Sequence, residues 1–311
     1  MSDLILYHYE QSPFALKVRK MLAIKGLAWN SVDTPVILPK PDLVAITGGY
    51  RGVPVLQIGA DVFIDSHLIG QELERRHPAP TLFPNGNTGM PQALTFWSNA
   101  LFGAVMQMLL PMTWEHWPEP FREDRKAMFP GLDWDRVART QEPFGVRGAQ
   151  PMGEVRVHLA LIDEQLRDGR AFLQGDAPGM TDIQAAFAPA FVRTLLPDVS
   201  MLYAGLERVA AWEQRVADLG EGTRTEIDAR AARDAAAAAE PAPGPGVDPA
   251  DPVKVAPGTA VTVAATDADR GAVTGTLHGL DRDRIVVRRQ ADGIGPVAVH
   301  FPRHGFRLAP A

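Results

Sequence analysis

The order of short patterned segments in the first eighty or so residues constrains the fold of this 311-residue chain more than any other feature. Leu4-Ile5-Leu6-Tyr7 is a brief apolar run with polar flanks, the pattern of a buried strand. Ser12-Pro13 then opens a helical pattern that closes near Gly26. Ala28 to Asp33 predicts a second strand, after which Pro35, Pro39 and Pro41 break the pattern before one short helix at Asp42 to Ile46. Val53 to Ile58 and Val62 to Ile64 flank Gly59-Ala60-Asp61, a tight hairpin, and Ser66 starts a helix that ends near His77-Pro78. A β-α-β-α-β-β-α order in so short a stretch predicts one sheet with helices on both faces.

The rest of the chain changes character twice. Pro78 to Pro91, rich in Pro, Gly, Asn and Thr, reads as a linker. From Gln92 to about Ala239 strand patterns vanish and helical ones dominate, which predicts a separate bundle whose first long helix is ended or kinked by Pro111, Pro118 and Pro120. An Ala-rich run, Ala229 to Ala239, passes into the second linker, Pro241-Ala242-Pro243-Gly244-Pro245-Gly246. Beyond it, Ala260 to Ala264, Ala272 to Leu277, Arg284 to Arg289 and Val297 to Phe301 gather β-branched residues between Gly and Asp turns, as in a small SH3-like or OB-like barrel. The predicted architecture is therefore multidomain: an α/β thioredoxin-like domain over residues 1–80, an all-α helical bundle domain over 91–236, and a small all-β module over 257–311.

Composition narrows the chemistry. The chain has no cysteine, which removes disulfides, thiolate metal ligands and any protein-thiol nucleophile, so sulfur chemistry here needs a borrowed thiol. A formal net charge of −6 argues against a chain that coats nucleic acid. The module's Arg282, Arg284, Arg288, Arg289, Arg303 and Arg307 interleave with Asp281, Asp283 and Asp292, which reads as a solvated surface. Met1 to Tyr9 lack the basic leader and apolar core of a signal peptide, and the apolar stretch around Ala100 to Met112 falls short of a bilayer, so a cytoplasmic protein without a membrane span is expected. The eight histidines show no ligand-like spacing; His278, His300 and His304 are expected to pack or lie exposed, and no metal is expected.

The segment Tyr7-His8-Tyr9-Glu10-Gln11-Ser12-Pro13-Phe14-Ala15-Leu16-Lys17-Val18-Arg19, followed by Lys25-Gly26, resembles the opening of serine-type and omega-type cytosolic glutathione transferases. Omega-like relatives carry a cysteine where this chain carries Ser12. The resemblance continues through Gly52-Val53-Pro54-Val55-Leu56, Asp65-Ser66 and Thr181-Asp182, and covers about the first 220 residues. It implies glutathione as co-substrate, with Ser12 as the hydroxyl that stabilises its thiolate and Tyr7 as the rival. It also implies that Val53, before a cis Pro54, offers its backbone to the cysteinyl part, that Asp65 and Ser66 hold the γ-glutamyl end, and that Lys40 meets the glycyl carboxylate.

The resemblance further implies that Phe14 borders the glutathione site and, with first-helix residues such as Trp97, Leu101, Met106 and Leu109, lines an electrophile pocket between the domains. A homodimer is the family's usual state.

Local chemistry supports part of this by itself. Ser12 precedes a helix that begins with Pro13, where free N–H groups and the helix dipole favour an anion. A glutathione thiol of pKa about 8.5 is a few per cent ionised at pH 7, and a hydroxyl hydrogen bond plus the dipole, together about 1.5–2 kcal/mol, lower that pKa by just over one unit. Ser12 is equally a good N-cap, and both readings stand at this point. Two departures from the pattern matter: Gly52 stands where many relatives have a basic residue, with Arg51 one position earlier, and Gly179 replaces the Ser or Thr of the helical domain's capping box with Asp182.

The resulting expectation is a detoxification-type transferase that joins glutathione to a small hydrophobic electrophile. The alternative is a non-catalytic protein of the same fold that uses the β module to recognise a partner, and a glutathione-dependent isomerase, dehalogenase or peroxidase is the third.

Overall fold

Alternation along β1 (Leu4–His8) decides how the central sheet is covered. Leu4 and Leu6 face α1 (Pro13–Ile24) and α3 (Ser66–Arg76), packing with Val18, Met21, Leu68 and Leu73. Ile5 and Tyr7 face the other way, toward α2 (Pro41–Thr47) and its Leu43 and Ile46. The structure, a computed structural model, describes residues 3–134 and 149–311.

β2 (Ala28–Asp33) lies parallel to β1, and β3 (Val55–Ile58) and β4 (Asp61–Ile64) follow antiparallel, giving β4-β3-β1-β2 with helices on both faces. This is the predicted thioredoxin-like arrangement. The sheet then grows at both ends. β5 (Thr223–Glu226) adds itself parallel to β2, inside the region where strand patterns are missing. All four of its residues are exposed, so there is no apolar face to betray it; the free edge of β2 supplies the pairing.

At the opposite end stands the appended β module. β7 (Ala260–Ala265), β8 (Ala272–Leu280), β9 (Arg284–Ala291) and β10 (Gly295–Pro302) form an antiparallel meander, and β11 (Phe306–Pro310) returns to β7. A meander closed by its last strand fits the SH3-like alternative rather than the Greek-key OB one. The module is not a free barrel, however. β10 pairs in parallel with β4, Val299 opposite Val62, and joins everything into one sheet.

Val261, Val273, Val287, Val299 and Phe301 share a core with Val55, Val62 and Ile64. The physical reason is the β4 edge: a strand buried on both faces whose open side would otherwise invite foreign pairing. His300 seals the joint, its Nε2 2.8 Å from Asp61 Oδ1 and its ring stacked on Phe63. Asp61 also accepts from Ala242 N at 3.0 Å, and Gly244 N donates to His278, so the Pro-Gly linker is pinned to the sheet; Gly246–Val247 even form a short β6 beside β8.

The helical part comprises α4 (Gly89–Thr113), a 3-10 turn at Trp114–His116, α5 (Glu119–Met128), α6 (Ala149–Gln165), α7 (Met180–Leu195), α8 (Ser200–Tyr203), α9 (Glu207–Ala217) and α10 (Ala229–Ala237). Pro111 falls in the last turn of α4, which ends two residues later, while Pro118 and Pro120 open α5. α4 with the following turn is long and apolar enough to cross a bilayer, more than the expected Ala100 to Met112 stretch, because the helix begins at Gly89. Leu101, Ala104, Val105, Met108 and Leu109 are nevertheless buried against α6 and α7, which makes it a core helix.

Gly179 caps α7 as expected without a side chain: Asp182 accepts from Gly179 N at 3.0 Å, and also from Leu173 N and Trp212 Nε1, each at 2.8 Å. α10 covers the face of the sheet that Tyr7 occupies, with Ala232 and Ala236 buried there.

Candidate active site

α1 starts at Ser12 because its Oγ accepts from Ala15 N at 3.2 Å and Pro13 occupies the first helical position. That bond uses a lone pair of the oxygen, so the hydroxyl hydrogen can still be donated, and the neighbour it meets here is the Tyr9 hydroxyl. The cap and a donor to an anion are therefore compatible roles. Ser12 is 2 % exposed, and above it lie the Tyr9 hydroxyl and the guanidinium of Arg125 from α5. Burial pushes the Tyr9 phenol up, so it stays a neutral donor at ordinary pH.

Val53–Pro54 is cis, as the resemblance implies, and precedes β3 beside β1. Asp65 caps α3 by accepting from His67 N at 2.7 Å, and Ser66 is the first residue of that helix. Asp65 holds a φ of 78°, a left-handed conformation costly for a residue with a Cβ, which is tolerated at sites where a side chain must be aimed. Lys40 is 3 % exposed, its ammonium 5.4 Å from the centre of the Tyr9 ring. Burial, with Arg125 and Arg51 nearby and Asp124 opposing, lowers Lys40 to about 8.

The structure brings Ser12, Lys40, Val53, Asp65 and Ser66 to one end of the central strands. Tyr7 is not with them. It points to the opposite face of the sheet and donates to Gln57 Oε1 at 2.9 Å, with burial holding its pKa far above 10. Tyr7→Phe is expected to cost about 1 kcal/mol in unfolding free energy and to change any thiol-transfer rate by less than about twofold; urea unfolding and initial rates check both.

The basic end of the site holds what the sequence alone did not reveal. Gly52 cannot carry the family's basic side chain, because a Cβ there would lie 2.4 Å from the Tyr50 hydroxyl. Arg51 supplies a cation instead, and Asp124 of α5 fixes it. Asp124 Oδ1 accepts from Arg51 at 2.5 Å and from Leu38 N at 3.1 Å, and Oδ2 accepts from Arg125 at 2.7 Å. Three cations, Lys40, Arg51 and Arg125, thus face one carboxylate, and Arg51 Nε is buried without a partner. The cluster is short of negative charge.

Phe14 sits where the two main parts meet, its ring 5.1 Å from Phe102 and 5.3 Å from Phe187. Of the other expected pocket residues, Trp97 turns to His158 of α6, Leu101 and Leu109 are fully buried in the bundle, and Met106 is half-buried. A cavity of about 450 Å³ lies between α1, α7 and α9, lined by Leu16, Lys17, Phe187 and Ala190 among others.

Lys17, 1 % exposed, donates to Gln184 Oε1 at 2.7 Å and stands over the Phe187 ring, and burial lowers it to about 7 against the pull of Asp65. From Gln184 hydrogen bonds run to Ser98 and Thr95 of α4, and from Thr95 to His67. Sequence reasoning missed Phe187 and Phe191, whose four-residue spacing on one helix face is a signal that could have found them, and nothing local marks Lys17 as buried. Among the described residues no group of His, Asp and Glu is placed to hold a metal ion.

Comparison with known proteins bears directly on this constellation. A GST-like protein from Pseudomonas syringae shares 32% identity, covers 100% of each chain and superposes with a TM-score of 0.81. The chain belongs to the glutathione S-transferase family.

Residues 6–81 match that family's N-terminal domain. Two fungal transferase structures share the fold over 70% of this chain: one from Phanerochaete chrysosporium (19% identity, 98% of that chain, TM-score 0.55) and one from Ceriporiopsis subvermispora in complex with glutathione (17%, 97%, 0.54). The stretch those two leave uncovered, about 30% of this chain, contrasts with the full-length match to the Pseudomonas protein. No curated protein matches the sequence.

Proposed function

We propose that this protein is a transferase that binds glutathione and joins its sulfur to a small hydrophobic electrophile, in the cytoplasm and as a homodimer. The observation that carries the reading is Ser12: a buried hydroxyl at a helix N-terminus, beside the Tyr9 hydroxyl and at the same end of the sheet as the cis Val53–Pro54 bond and the Asp65–Ser66 helix start. A glutathione complex on the same fold supports the ligand.

In this reading Val53 pairs with the cysteinyl backbone, Asp65 and Ser66 hold the γ-glutamyl group, and Lys40 with Arg51 meets the glycyl carboxylate. The thiol loses its proton to solvent. Ser12 Oγ–H and the α1 dipole hold the resulting thiolate, Tyr9 standing beside it as a second neutral donor. The thiolate's lone pair forms the new S–C bond as the leaving group departs with the electrons of the bond it breaks. Phe14, Phe102 and Phe187 offer the electrophile an apolar wall.

The test is an ultraviolet titration of bound glutathione, following thiolate absorbance against pH in the wild type and in Ser12→Ala after binding is confirmed by calorimetry. A bound thiol at least about one unit below the free value of about 8.5, restored in the variant, is expected. Tight binding with an unshifted thiol replaces catalysis by a binding role, and absence of binding at millimolar glutathione overturns the reading.

A further inference from the structure

The loop that leads into Val53–Pro54 is pressed from one side by the appended β module. A Cβ on Gly49 would lie 2.3 Å from Ala272 O, and one on Gly271 would lie 2.1 Å from Gly49 O. The two backbones touch because both residues are glycine, with φ of 132° and 78° that suit no other residue well. Arg51 N completes the contact by donating to Arg270 O at 2.8 Å. The site loop thus has its position set by residues some 220 positions later in the chain.

The same contact delivers a cation. The Arg270 side chain, tied to Asp267 of its own loop, keeps 23% of its surface exposed and comes within electrostatic reach of Asp65 and of the Tyr50 hydroxyl. A second arm of the module reaches the other side of the same helix start: His304 meets Phe96 edge-on at 4.5 Å, and His304 and Asp283 lie near His67. An α-amino acid group is a zwitterion and needs an anion and a cation in its site. Asp65 is the anion. Among the described residues Lys17 is another cation near Asp65, but at 1% exposure it is closed to a ligand as well as bonded to Gln184. Arg270 is the cation within reach that solvent, and hence a ligand, can still touch.

We propose that the β module is a wall of the glutathione site supplied by the same chain, and that Arg270 meets the α-carboxylate of the γ-glutamyl group beside Ser66. The proposal rests on the glutathione reading given above. It gives the module a role in positioning and binding the thiol peptide, whereas the sequence reads its arginines as a solvated surface and leaves partner recognition to the alternative function. Five of its six flagged arginines point to partners away from the Asp65 helix start: Arg282 to Asp283, Arg284 to Glu72, Arg288 to Glu240, Arg303 to Asp251, and Arg289 to Ala45 O, whereas Arg270, though paired with Asp267, lies within electrostatic reach of Asp65.

Calorimetric titration of glutathione into the wild type, Arg270→Ala and Arg270→Lys, with thermal unfolding of each, tests it. Arg270→Ala is expected to weaken glutathione binding about tenfold and Arg270→Lys to recover most of that loss, with all three proteins melting alike. Wild-type affinity in Arg270→Ala overturns the proposal alone. A loss that lysine does not restore and that comes with a lowered melting temperature also overturns it, since the role is then structural. A wild type that binds no glutathione overturns both this proposal and the reading beneath it.

Discussion

Asp124→Ala is expected to lower the unfolding free energy by about 3–5 kcal/mol, measured as a shifted urea midpoint, because removal of one partner leaves buried charge uncompensated. Asp124 is the carboxylate against Arg51, Arg125 and Lys40, and its side chain is 7% exposed with Arg51 at 9%. It also ties α5 to the Leu38 amide, across the approach to Ser12. The substitution has a second expected consequence. The glycyl carboxylate of glutathione can supply the charge that Asp124 no longer does, so saturating glutathione should raise the midpoint of the variant by more than it raises that of the wild type. Equal increments would mean that glutathione does not reach Arg51 or Lys40. The pair of measurements therefore locates the glycyl end without a bound structure.

How much of this was legible in the sequence follows from where the information resides. The thioredoxin-like order was readable because Leu4 to Tyr7, Val55 to Ile58 and Val62 to Ile64 carry their burial in their own composition. Ser12 was readable because a helix start is a local device, whereas Val53, Asp65 and Ser66 were named through the family resemblance. The cation cluster was not: Arg51 and Asp124 are 73 positions apart, and a charged pair on an exposed-looking helix such as α5 reads as solvated surface until the partner is known.

Lys17, Arg19 and Lys20 are likewise buried in α1, where three cations in an apolar pattern look like an outer face. β5 was missed because Thr-Arg-Thr-Glu pairs through its backbone alone. The module's strands were visible, but their fusion to β4 is a property of an edge, and edges do not show in a pattern of side chains.

Acid is expected to weaken the hold of the module on α3, and the residue responsible is Glu72. Its side chain is 1% exposed, with Arg75 and Arg76 each at 2.6 Å from Oε1 and Arg284 of β9 at 3.5 Å from Oε2. Burial by itself would push this carboxyl up; the hydrogen bonds and charges of Arg75 and Arg76 prevail and hold it at about 2, against an ordinary 4.5. The folded state therefore binds fewer protons than the unfolded chain between those values. The stabilisation is fully present above about pH 4.5 and is lost as the pH falls toward 2, a change of roughly 2–3 kcal/mol once screening at the exposed Arg75 is allowed for.

Urea midpoints from pH 6 to pH 3 should fall in the wild type, and Glu72→Gln should flatten that slope while starting from a lower midpoint. A slope unchanged in Glu72→Gln would assign the acid response to other carboxylates. α3 presents Ser66 at its first residue and Glu72 to the module in its middle, so a module loosened at Arg284 should also release Arg270 from the site. Glutathione affinity in Glu72→Gln is expected to fall even at neutral pH, though Glu72 is nowhere near the thiol peptide.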